Sequence, residues 1–139
     1  MTATTKQRAL IEQLLRFALV GAVTTGLDWA GYFLLEIPLH GLGQHGKQLA
    51  KAGSFVVSAY TNYRLNRSWT FRSTSTQVGA EAARFLVVAL IGLALNNSLF
   101  FFLTSPTGLH LSDMLGLLFS TVAVSLWNFL ANKYWTFKA

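Results

Sequence analysis

Four runs of 17 to 21 mostly apolar residues, Phe17–Ile37, Leu49–Leu65, Phe85–Leu103 and Met114–Leu130, take up most of the 139-residue chain. At about 1.5 Å per residue, each is long enough to cross a hydrocarbon core of roughly 30 Å as an α-helix. Backbone in lipid must satisfy its own hydrogen bonds, which leaves helices or a closed barrel. A barrel needs stretches of about ten residues with alternating polarity, and the chain has none. Only 12% of residues are charged. In an ordinary soluble domain the share is roughly 25%. The expected fold is an all-α integral membrane protein with four transmembrane helices.

The first run lies where a signal peptide would. It is too long for one, carries Asp28 in mid-span and has no small-x-small cleavage site after it, so it is expected to be retained. The residues before it, 1–15, are expected to form an interfacial lead-in, with Leu10, Ile11, Leu14 and Leu15 on one side.

Basic residues set the orientation. Lys6, Arg8, Arg16, Arg64, Arg67, Arg72, Arg84, Lys133 and Lys138 would lie on one side, and Lys47 and Lys51 on the other. Because cytoplasmic segments are enriched in Lys and Arg, both termini and the middle connection are expected in the cytoplasm of a bacterial inner membrane. The net charge of +6 is then a topology signal and needs no nucleic-acid partner.

The chain also repeats itself. "NYRLNRSWTF" at 62–71 and "NFLANKYWTF" at 128–137 share five of ten positions. At the other end of each repeat, Arg16-Phe17 corresponds to Arg84-Phe85, and Asp28 to Asn96. Two repeats of two helices, about 16–72 and 84–138, enter the membrane in the same direction and imply a pseudo-two-fold axis along its normal. Residues 73–82 (STSTQVGAEA) read as the flexible link.

Within so apolar a chain each polar residue needs a reason. Asp28 falls near mid-membrane and should face protein or water, as a substrate or proton site or as a structural partner of Asn96, Asn97, Thr24 or Thr25. Asn62 and Asn66 share a helix face, as do Asn128 and Asn132. They suit either interhelical hydrogen bonding or contact with a sugar or phosphate. With Asp28 and Asn96 they define a candidate intramembrane polar path. Arg16, Arg64, Arg67, Arg84 and Lys133 would form a basic rim at the inner headgroup level, suited to a phosphate or to anionic lipid. Trp69, Phe71, Trp135 and Phe137 suit an interfacial aromatic belt.

Other patterns carry little. "GLGQHG" at 41–46 fits G-x-G-x-x-G, but no strand precedes it and no acid follows about 20 residues on. His40, His45 and His110 lack metal-ligand spacing and there is no Cys, so no cofactor or metal is expected. Asp113 and Glu36 are isolated acids without a nucleotide or metal site beside them, so an enzyme is not expected.

With these residues in place the chain resembles the GtrA family of small four-span membrane proteins. The resemblance rests on "RFALVGAVTTGLDW" (16–29), "RFLVVALIGLALNN" (84–97) and the two Asn…Trp-Thr-Phe phrases. It implies a role in cell-surface polysaccharide synthesis, as a flippase moving a polyprenyl-phosphate-linked sugar to the outer leaflet. The alternative it implies is a non-catalytic scaffold that recruits or stabilises a membrane glycosyltransferase. The family's polar signature falls on Asp28, Asn62, Asn66, Arg67, Asn128, Asn132 and Lys133. Because four short helices enclose little volume, a homo-oligomer or a complex with a transferase is expected.

Overall fold

A computed structural model describes residues 3–138. Among the described residues all regular structure is helical. Helix α1 (Ala3–Leu39) leads through a single 3₁₀ turn (His40–Leu42) into α2 (Gly43–Leu65), which ends in a π-helical turn (Asn66–Thr70). After an extended link come α3 (Val78–Thr104), α4 (Asp113–Ala131) and a second π-helical turn (Asn132–Thr136). Three continuous helical stretches, Thr4–Thr70, Val78–Thr104 and Asp113–Thr136, are long and apolar enough to cross a membrane. The first comprises α1 and α2, folded back on each other at the 3₁₀ turn.

The chain divides into two compact units, Met1–Arg72 and Ser73–Ala139. In the first, α1 is 37 residues long. Its axis therefore runs for about 55 Å, at about 1.5 Å per residue. Residues 3–15 of the expected lead-in continue that axis without a break, and residues 1 and 2 lie outside the described residues.

The hairpin closes along a seam of small side chains. Every fourth residue of α2 and its π turn, namely Gly46, Ala50, Ser54, Ser58, Asn62, Asn66 and Thr70, lies on it, and all but half-buried Asn62 are buried. Lipid tails are as apolar as leucine, so no hydrophobic force pulls membrane helices together. Close backbone approach through small residues takes its place. A Cβ at Gly31 would sit 3.2 Å from the Ser54 Cβ, and one at Gly53 3.0 Å from a Leu35 methyl. The second unit repeats the seam with Gly116, Ser120, Val124, Asn128, Asn132 and Thr136, under the same burial pattern.

A row spaced by four residues drifts about 40° per step around an α-helix. The π turn rotates less per residue, because more residues share each turn. It therefore carries Thr70 and Thr136 back onto the seam at the point where an α-helix would swing them away. The amide of Phe71 accordingly donates to the Asn66 carbonyl (2.8 Å), and that of Phe137 to the Asn132 carbonyl (2.9 Å).

The glycine-rich "GLGQHG" is the corner of the first hairpin. Gly43 adopts φ +57°, and Gly46 lies so close to the Leu39 carbonyl that a Cβ would collide with it. The corner of the second hairpin is made differently. Leu109 and Leu111 donate to the carbonyls of Phe102 (3.1 Å) and Leu103 (2.8 Å). Ser112 then caps α4 by accepting from the Leu115 amide.

Two alanine substitutions should separate corner from surface. Gly46→Ala places its methyl on backbone that cannot swing aside and should cost about 1–3 kcal/mol. Gly26→Ala meets nothing close by, and should leave the melting temperature in detergent unchanged or slightly raised.

Candidate functional site

The polar groups of the first unit form a chain along the α1–α2 seam. Nearest the corner, Glu36 and Lys47 make a loose ion pair at 4.0 Å. About two-thirds of the way along α1, Asp28 accepts from Lys51 Nζ at 2.7 Å and from Ser54 Oγ at 2.7 Å. The carboxylate is largely covered, whereas the Lys51 side chain is 58% exposed. The sequence sets Asp28 against Asn96, Asn97, Thr24 or Thr25; within its unit the structure gives it Lys51 and Ser54 instead. The two threonines are already engaged: Thr24 donates to the Val20 carbonyl at 2.9 Å and Thr25 to that of Gly21 at 2.9 Å.

One turn further, Ser58 donates to the Thr24 carbonyl (2.6 Å) and the Asn62 amide to Thr24 Oγ1 (2.7 Å). The Asn66 amide then donates to Asn62 Oδ1 (2.7 Å) within its own helix. Asn62 is thus the member of the pair that joins the helices. The Asn66 oxygen and the Thr70 hydroxyl are buried without a partner.

At the π turn, widening leaves carbonyls pointing outward that α1 collects. Gln13 donates to the Thr70 carbonyl (3.3 Å) and Arg16 to that of Trp69 (3.4 Å). Arg16 also pairs with Glu12 and lies 5.6 Å from the centre of the Trp69 ring. Arg67 is half-buried and Arg64 exposed. The expected aromatic belt needs correcting at its phenylalanines. Trp69 and Trp135 face outward, but Phe71 packs edge-on against Phe17 (6.0 Å) and Phe137 is buried against Phe85 (6.1 Å). Of the Trp-Thr-Phe phrase, the π turn directs Thr and Phe inward and Trp outward.

In the second unit the same positions solve the same problem with different chemistry. Gly92 stands where Thr24 does, and Asn128 lies directly on it: a Cβ there would be 2.5 Å from Asn128 Oδ1. Asn132 donates to the Asn128 carbonyl at 2.8 Å. The side-chain oxygens of Asn128, Asn132 and Thr136 are buried and unpartnered, matching Asn66 and Thr70. Lys133 lies 5.7 Å from the ring centres of both Phe129 and Tyr134. Arg84 and Asn96 are half-buried. Glu81, at the position of Gln13, is buried and accepts from Ser73 Oγ.

Sequence reasoning overlooks Lys51, Ser54, Gln13 and Glu81. The four-residue ladder would have pointed to Ser54, and the repeat offset of 68 pairs Gln13 with Glu81. Among the described residues no three His, Asp or Glu side chains are grouped as a metal site would require.

Hairpins of apolar helices, joined through small-residue seams and carrying polar side chains inside them, define an α-helical membrane protein. The chain belongs to the GtrA/DPMS transmembrane-domain family, which it matches over residues 16–137. A comparison with curated proteins gives no match.

The threonines supply a test of the geometry. Thr24→Val removes the bond from Asn62 across the seam and should destabilise the protein by about 1 kcal/mol. Thr70→Val and Thr136→Val remove hydroxyls that have no partner, so each should leave stability unchanged or raise it by up to about 1 kcal/mol. Unfolding of the purified protein in detergent reads both.

Proposed function

We propose that the chain crosses a bacterial inner membrane four times, with both termini cytoplasmic and residues 1–15 at the inner interface. In this reading it moves a polyprenyl-phosphate-linked sugar from the inner to the outer leaflet. It does so without chemistry on the substrate, as a homo-oligomer or beside the glycosyltransferase that makes the substrate. Membership of the GtrA/DPMS transmembrane-domain family supports this reading. The observation that carries it is the pairing, in both units, of a basic residue with an open π turn at the helix end. In the first unit Arg67 lies within the turn at Asn66–Thr70 and Arg16 reaches it from α1; in the second, Lys133 lies within the turn at Asn132–Thr136. Guanidinium groups beside outward carbonyls and an exposed Trp are suited to a phosphate that carries a sugar ring.

From there the anion would follow the polar side chains of the seam, Asn66, Asn62 and Asp28 in the first unit and Asn132, Asn128 and Asn96 in the second. The isoprenoid would stay among the lipid-exposed leucines and phenylalanines. Turns of the π type recur at functional positions in helical proteins because they free backbone groups that an α-helix would consume.

Translocation of a polyprenyl-phosphate sugar across proteoliposomes containing the purified protein tests the reading. Arg67→Ala and Lys133→Ala should each slow movement about tenfold or more while the protein stays folded. If movement does not exceed that in empty liposomes and a glycosyltransferase co-purifies stably, the scaffold reading replaces it. Reporter fusions at the two termini should both report the cytoplasm.

A further inference from the structure

Among the described residues, the Asp28–Lys51 pair is the tighter of the two ion pairs across the first hairpin and the one farther from its corner. The charge count sets Lys51 with the outer side, but it lies nine residues into α2 and its ammonium reaches Asp28, eleven residues before the end of α1, so both are well inside the hairpin. An ammonium has three N–H donors. Asp28 takes one, and the remaining two lie on a side chain that is 58% exposed, in a helix whose neighbouring outward residues include Phe55 and Val56. Exposed cationic donors at such depth call for an anionic or strongly accepting partner. The carboxylate holds the ammonium against α1, which opposes snorkelling to an interface.

Asp28, in contrast, does not depend on Lys51 alone. Ser54 Oγ donates to its other oxygen, and that serine is buried in the seam, so the carboxylate keeps one donor if the lysine turns away. The next charged pair toward the corner, Glu36 with Lys47, is looser, at 4.0 Å, and lies closer to the helix ends. Thr24 and Asn62, on the opposite side, are bonded to each other. In the second unit the corresponding positions are Asn96, Leu117 and Ser120. The serine is repeated there and the two charges are not. Were the ion pair only a device for closing a hairpin, the second unit shows that hairpin closing without it.

The geometry points to Lys51 as a binding site, inside the membrane, for the phosphate anion of a lipid-linked substrate, with Asp28 as its displaceable counter-ion. The assignment rests on the proposed transport reading for the identity of the anion but not for the existence of the site. In the unliganded protein the pair is neutral overall. An arriving phosphate competes with the carboxylate for the ammonium, so binding is weak by construction. A site on a transport path must release what it captures, and a built-in competitor accomplishes that.

Equilibrium binding to the purified protein in zwitterionic nanodiscs decides the matter, with three probes: a farnesyl-phosphate sugar, farnesol and inorganic phosphate. Asp28→Asn keeps the bond from Ser54 and removes the competing charge, so it should bind the farnesyl-phosphate sugar about tenfold more tightly than the natural protein. The double variant Asp28→Asn/Lys51→Met leaves no charge at that level of the seam, so it keeps the fold, and it should lose that gain and keep only the binding given by the basic residues at the π turns. Farnesol should bind none of the three proteins. If inorganic phosphate binds in the same order as the lipid, the anion site stands and its source is the aqueous phase. Equal binding by the single and double variants, or no gain from Asp28→Asn, would overturn the proposal. Binding without movement across proteoliposomes would leave the site standing and overturn the transport reading alone.

Discussion

Two apolar helices in lipid have little reason to prefer each other to the surrounding acyl chains. What joins α1 to α2, and α3 to α4, is the close approach allowed by a residue of small volume at every fourth position. Everything polar inside the hairpins depends on that closeness. The Thr24–Asn62 bond needs the backbones near enough for a short side chain to reach a short side chain. Asp28 reaches Ser54 for the same reason. A leucine at Ser54 or Ala50 would part the helices and leave several polar groups facing hydrocarbon at once, each costing more than its bond contributes. The seam is thus a condition for the polar chain, and the polar chain in turn fixes its register, since sliding by one residue would unpair all of its members.

The two units keep the seam and vary what is attached to it. Thr24 against Asn62 becomes Gly92 against Asn128: a hydrogen bond is exchanged for direct packing of the amide on bare backbone. Gln13, which reaches the first π turn, becomes buried Glu81, held by Ser73. These are exchanges of one closing device for another. Asp28 with Lys51 is a different case, because Asn96 and Leu117 do not replace the interaction by any other charge pair. Duplication provides an internal control here: what both units retain is what the hairpin needs, and what only one possesses is left to be explained by use.

How much of this is legible in the sequence depends on which physical signal carries it. Helical character and apolar length follow directly from composition along the chain, because lipid imposes them residue by residue. The twofold Trp-Thr-Phe phrase is visible as a repetition, but not that Trp turns outward while Thr and Phe turn inward. That depends on a π turn, whose register has no 3.6-residue pattern to betray it. The partner of Asp28 is hidden for a different reason. Partners across a hairpin are set by where the chain reverses, and the glycines at 41–46 match a nucleotide motif as readily as they match a corner. With the reversal placed at Leu42, Asp28 faces the early half of α2, where Ser54 and the long reach of Lys51 are available.

The polar atoms left without partners are not scattered. Among the described residues, Asn66 Oδ1 and Thr70 Oγ1 in one unit, and Asn132 Oδ1 and Thr136 Oγ1 in the other, lie in the π turns, and Asn128 Oδ1 lies one turn before the second of them, all away from the corners. At the corner end, Gly46 against Leu39 and Gly116 against Thr104 are packed to the limit. Stability within each hairpin is therefore uneven: the corner holds the closest contacts, and the π turn holds groups whose burial costs free energy without a compensating bond. Local opening is cheapest where buried groups gain most from meeting water or a ligand, and that is the π-turn end. Arg16, Arg67 and Lys133 lie at the same ends. In the proposed transport reading, an anion drawn there by charge would meet the part of each hairpin that resists it least, with unpartnered side-chain oxygens behind it.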